Sequence, residues 1–143
     1  MLDQTKLPYH VRTQGHQAPS GTLVYLADTT GELFQLIRCV DLALGGKTLP
    51  PNHGGQNPIE PIALGIPLVL GPNYQNFSQT CTDLLVHDAI RTAEDAQQTT
   101  TALVDLALDQ DGRNQLRASS LEWMKSQGSP SEQTLENIYR LLG

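Results

Sequence analysis

Short apolar runs that alternate with helix-period segments constrain this sequence more than any other feature. Three stand out: Thr22–Asp28 ("TLVYLAD"), Val40–Gly46 ("VDLALGG") and Ile66–Gly71 ("IPLVLG"). Runs this short and this continuous suit parallel strands buried on both faces. Between and after them apolar residues recur at helical spacing, as in Leu33, Leu36, Ile37 and Val40, and again in Phe77, Cys81, Leu84 and Leu85. The spacing predicts helices over about residues 30–39, 58–65, 76–86, 93–108, 112–126 and 130–142, with minor strands at Tyr9–Arg12 and Ala89–Arg91. Strands and helices alternating at this interval imply an α/β fold, a parallel sheet covered by helices, followed by a helical C-terminal tail. At 143 residues the chain fits a single domain, 1–143.

Helix starts are written into the sequence. Thr29 with Glu32 reads as a capping box, and Ser129-Pro130 with Glu132 repeats the pattern. The most informative start is "HGGQNPIEPIALGIPLVLGP", His53 to Pro72: Asn57 caps, Pro58 opens the helix, and Glu60 reaches back to the Asn57 amide. Each such cap stabilises by about 1 kcal/mol and requires no ligand. Three features point further. The turn follows a strand that ends in Gly45-Gly46, which puts it at the carboxyl edge of the sheet, where open α/β folds bind ligands. Gly54 and Gly55 remove side chains ahead of a helix start, so backbone amides can approach an anion. Glu60 supplies a carboxylate able to accept ribose hydroxyls. Phosphate on amides and ribose on a carboxylate describe a nucleotide site.

Composition narrows the alternatives. Charged residues are 17% of the chain, the net charge is −6 and no Lys/Arg cluster exists, so nucleic acid is not an expected partner. Cys39 and Cys81 lack metal-ligand spacing and read as reduced core residues. Asp109 and Asp111 read as a solvated interhelix loop, and the four histidines are scattered. No metal site, cofactor or catalytic residue is therefore nominated. The N-terminus lacks the basic and apolar regions of a signal peptide, and no window approaches the ~18 apolar residues of a membrane span, so a soluble protein is expected.

The ordered set "ADTTGEL", "DLALGG", "GGQNPIEPIALGIPLVLGP" and Asn76-Phe77 closely resembles the 3-deoxy-D-manno-octulosonic acid (Kdo) transferases, strongly over Val24–Val86. The resemblance implies a Rossmann-like C-terminal half of a GT-B glycosyltransferase, the half that holds the donor CMP-Kdo. It implies that Gly54, Gly55 and Asn57 face the donor phosphate with Gln56 beside them, and that Glu60 holds the ribose. Gly31 and Glu32 match a pattern near cytidine and sugar, and Lys47 lies close enough in sequence to face phosphate. Gln56 stands where many members carry histidine, which keeps a hydrogen-bonding group and removes its titration. The family's general base and its lipid A precursor site belong to an N-terminal half with no counterpart in this sequence. The chain is accordingly expected to bind donor in lipopolysaccharide biosynthesis, at the cytoplasmic face of the inner membrane, without catalysing transfer by itself. Two rivals stay open: a non-catalytic interaction module, including a homodimer through exposed apolar surface, and half of another GT-B enzyme using a UDP-sugar.

Overall fold

A computed structural model of the chain describes residue 4 and residues 6–128; the expected helix Pro130–Leu142 and its Ser129-Pro130 cap lie outside the described residues. Two compact units emerge, Met1–Leu36 and Ile37–Gly143. Each is taken by itself.

The second unit carries the α/β pattern. Its parallel sheet has the order β3 (Ala43–Leu44), β4 (Leu68–Leu70), β5 (Arg91–Thr92), in register Ala43↔Leu68 and Val69↔Arg91. The central strand explains the continuous apolar run. Leu68, Val69 and Leu70 are at most 1% exposed, and alternate side chains enter opposite cores. Leu68 and Leu70 pack with Ile62, Cys81, Leu84, Ala89, Ile90 and Trp123, whereas Val69 packs with Leu106 and Leu116. Helices α2 (Ile59–Ala63), α3 (Ser78–Val86), α4 (Ala96–Leu108) and α5 (Gln110–Ser126) supply those partners. Helix α5 serves both cores through Leu116 and Trp123, two turns apart.

The helix ends follow local chemistry. Asp95 caps α4 by accepting from the Gln98 amide at 2.7 Å, which starts that helix three residues later than the apolar pattern suggested. Asp109 ends α4 and caps α5, accepting from Gly112 N at 2.9 Å. The acidic interhelix loop expected there does not exist: one aspartate joins two helices directly, and Asp111 sits in the first turn of α5. Helix α2 stops at Gly65 (φ +66°), with Gly65 N bonded to Ile62 O and Ile66 N to Pro61 O, both at 2.9 Å. This is a Schellman ending, and glycine takes the left-handed position without a Cβ penalty. Arg117 of α5 donates to the Gly65 carbonyl at 2.9 Å, tying that ending to the long helix.

The first unit holds a separate two-stranded parallel sheet, β1 (Tyr9–Val11) with β2 (Val24–Leu26). The strands thus form two sheets where the sequence suggested one. The expected buried strand here is instead exposed: Tyr25 and Leu26 are 39% and 43% accessible. Pro8 O accepts from both Leu23 N and Val24 N, which fixes β2 on β1. His10 is the buried polar residue of this sheet, and its Nε2 donates to the Gly15 carbonyl at 2.9 Å. Helix α1 covers Leu33–Ile37, shorter than its pattern.

The two cysteines differ from the expected pair of core residues, because Cys39 is exposed and only Cys81 is buried. Burial raises the Cys81 thiol above its ordinary value and suppresses the reactive thiolate. A thiol titration of the folded protein with Ellman's reagent is expected to register Cys39 promptly and Cys81 only after urea unfolding. Equal rates for both would contradict this packing.

Candidate functional site

The loops that leave β3 and β4 meet at the carboxyl edge of the second unit's sheet, where the glycine turn was expected. Gly45 N continues the ladder to Val69 O at 2.9 Å, and the chain then turns through Gly46 and Lys47, the latter with φ 58°. Thr48 is 1% exposed and holds the two loops together. Its hydroxyl donates to Gly45 O at 2.7 Å and accepts from Gly71 N at 3.0 Å, while its carbonyl accepts from Asn73 N at 2.9 Å. Farther out, Asn73 Nδ2 donates to Asn52 O at 2.6 Å.

The glycines have steric reasons beyond ligand approach. Gly54 and Gly55 have φ of +92° and +70°, in the region that favours glycine. A Cβ on Gly54 would collide with Asn76 Nδ2, and one on Gly55 would lie 3.1 Å from Tyr74 Cα. Gly46 is covered by Gln56, whose Oε1 an added Cβ would overlap. Gln56 N also donates to Gly46 O at 3.0 Å. The amide of Gly54 donates to Gln75 Oε1 at 3.2 Å, and the Gly54 carbonyl accepts from Asn76 N at 3.0 Å.

Around the start of α2 the expected cap is met in altered form. Asn57 Oδ1 accepts from Ile59 N at 3.0 Å, so Asn57 does cap the turn, but Pro58 is the boundary residue and the helix begins at Ile59. Glu60 does not reach back to the Asn57 amide; Asn57 Nδ2 approaches Glu60 Oε1 at 3.5 Å, a long and exposed contact. Gln56, Asn57, Glu60 and Lys47 are not buried, and this part of the edge is a shelf. Larger hollows lie elsewhere: one of about 720 Å³ beside Ile59, Asp83, Val86 and Trp123, and one of about 640 Å³ beside Arg38, Asp41, Leu64 and Arg117.

Gly31 and Glu32 belong to the first unit, where Glu32 is committed. It accepts from the Thr29 hydroxyl and, at 2.7 Å, from Arg12 Nη2. Those two donors, the Thr29 hydroxyl foremost, hold its carboxyl below the ordinary range. Asp28 is lowered likewise, chiefly by the Thr13 hydroxyl at 2.6 Å. The capping pair at Thr29 is therefore a side-chain pair completed by Arg12, 20 residues before Glu32.

The residues that sequence reasoning missed are Thr48, Asn73 and Gln75. Each joins the loop after β3 to the loop after β4, and no local motif marks such a tie.

A parallel α/β unit with its loops gathered at the carboxyl edge is shared by open α/β folds that bind ligands there, the C-terminal domains of GT-B glycosyltransferases among them. No family model matches the chain. It is 28% identical over 143 residues to the 3-deoxy-D-manno-octulosonic acid transferase of Bordetella pertussis, which is 99% of this chain and 33% of that protein. It is 40% identical over 60 residues to the transferase of the same name from Chlamydophila psittaci, covering 42% of this chain and 14% of that one. Among solved structures, the C-terminal CMP-Kdo binding domain of WaaA from Acinetobacter baumannii matches with a TM-score of 0.79 and 31% identity, over 84% of this chain and 62% of that chain. The chain is a homologue of the Kdo transferases. It spans about a third of the length of the Bordetella relative.

Proposed function

We propose that this chain binds CMP-Kdo and serves as the donor side of a Kdo transferase. The observation that carries the reading is the match to a CMP-Kdo binding domain at a TM-score of 0.79 with 31% identity. On this reading the turn Gly54–Asn57 faces the donor phosphate, Glu60 accepts the ribose hydroxyls and Lys47 adds charge at the rim. Gly31 and Glu32 lie in the other compact unit, where Glu32 is committed to Thr29 and Arg12, and they are given no role in this reading. Negative charge grows on CMP as it leaves, and amides and dipoles already fixed in place stabilise it without reorganisation. Activation of the acceptor hydroxyl requires a base within hydrogen-bond reach, which this reading assigns to the rest of a complete transferase together with the lipid A precursor site. Such an enzyme would act at the cytoplasmic face of the inner membrane. Among the described residues no helix is long and apolar enough to cross a membrane.

Calorimetric titration with CMP tests the reading, with UDP as competitor. Saturable heat that UDP does not displace is expected; no heat at millimolar CMP overturns it. Glu60→Ala is expected to weaken CMP binding roughly tenfold, the scale of a hydrogen bond to a charged group. Its stability should change by less than ~0.5 kcal/mol, because Glu60 is exposed and its hydrogen bond among the described residues is the long Asn57 contact. Equal losses in binding and stability would return Glu60 to a capping role.

A second reading, self-association, is favoured by one observation: Leu23, Leu33 and Phe34 of the first unit are 70%, 59% and 50% exposed. Sedimentation equilibrium that shows a concentration-dependent dimer would support it, and a monomer at all concentrations would exclude it.

A further inference from the structure

The Gly54 amide, which the donor-binding reading offers to an anionic oxygen, is already engaged. Gln75 Oε1 accepts from it at 3.2 Å, across 21 residues of sequence. The character of this tie differs from its neighbours. Thr48 is buried and the Gln56–Gly46 bond is backbone to backbone, so neither can leave without moving the chain. Gln75 is exposed and opens the 3₁₀ turn Gln75–Phe77 after β4, so a side-chain rotation suffices to release the amide. The turn would stay in place when it does, because Asn76 N still donates to Gly54 O at 3.0 Å.

We propose that Gln75 is a built-in stand-in for the ligand's phosphate oxygen: its side-chain carbonyl holds the Gly54 amide until an anionic oxygen displaces it, and this competition sets nucleotide affinity. The inference rests on the donor-binding reading above. The exchange runs in the ligand's favour, because a hydrogen bond from an amide to a charged oxygen is roughly twice as strong as one to a neutral carbonyl. A carboxylate at position 75 would remove that advantage and repel the phosphate.

Calorimetry with CMP on the full chain, comparing wild type, Gln75→Met and Gln75→Glu, tests the proposal. Methionine keeps the bulk and removes the strong acceptor, so Q75M is expected to bind CMP roughly three- to tenfold tighter, the scale of one net hydrogen bond. Q75E is expected to bind at least ~10-fold more weakly at neutral pH, a cost of the size seen for hydrogen bonds to charged groups. Wild type that binds CMP beside a Q75M variant of equal or lower affinity overturns the role of Gln75 alone. Absence of heat from both wild type and Q75M at millimolar CMP overturns the donor-binding reading and this inference with it. Without ligand, Q75M is expected to melt a few degrees below wild type, by the one hydrogen bond it lacks, whereas Q75E, which keeps an acceptor for the Gly54 amide, should melt close to wild type.

Discussion

Gly71→Ala is expected to lower the unfolding free energy by about 3 kcal/mol, with the urea midpoint falling and the slope unchanged. Gly71 is buried immediately after β4, and its amide donates to Thr48 Oγ1 at 3.0 Å. A Cβ there would stand 2.5 Å from the Thr48 carbonyl oxygen and 2.6 Å from Leu49 Cδ2. These two contacts differ in kind. The leucine methyl belongs to a side chain and can rotate away, whereas the carbonyl is backbone and accepts from Asn73 N at 2.9 Å. Relief therefore moves the loop after β3, and the Thr48 bonds to Gly71 and Asn73 lengthen with it. Trimming Leu49 to alanine in the G71A background should accordingly recover little. Full rescue by that second change, or a loss below ~1 kcal/mol, would show that the carbonyl contact does not limit the site.

What the sequence disclosed and what it hid divide along one line, the range over which the determining contacts act. The continuous run in Ile66–Gly71 was readable as a buried parallel strand because burial on both faces requires every side chain to be apolar; its central place in the sheet was not. Gly65 was readable as a helix end because a left-handed position leaves few residue choices. The glycine turn was readable at the carboxyl edge because a loop that follows a parallel strand must leave from that end. The same local logic misjudged Val24–Leu26, whose apolar run leaves Tyr25 and Leu26 exposed, and Cys39, which helical spacing alone placed in a core. Nothing local announced Thr48 or Gln75. Their partners lie 23 and 21 residues away, and the pairing exists only once β3 and β4 are aligned. Helix α4 began late for a simpler reason: Asp95 competes for the orphan amides and outweighs the apolar residue before it.

Trp123→Ala is the second large effect, an expected loss of about 4 kcal/mol measured by urea unfolding followed with circular dichroism. Trp123 is 6% exposed and lies in the core with Ile62, Leu68, Leu70, Cys81 and Leu84. Truncation removes a large apolar area and leaves a cavity that α5 and β4, pinned by their own contacts, cannot fill. A smaller contribution comes from the indole N–H, which donates to Asp83 Oδ2 at 2.6 Å. Asp83 is 46% exposed, so water competes for that carboxylate, and its share is expected to be only ~1 kcal/mol. The two contributions separate in a double-mutant cycle built on Trp123→Phe, which keeps much of the ring volume but has no N–H. Asp83→Ala should cost ~1 kcal/mol in wild type and close to nothing in the W123F background. The chain has one tryptophan, so native fluorescence reports on this position in wild type and in D83A without interference. If D83A costs as much in the W123F background as in wild type, Asp83 acts through its own helix and not through the indole. Trp123 would then stabilise by packing alone.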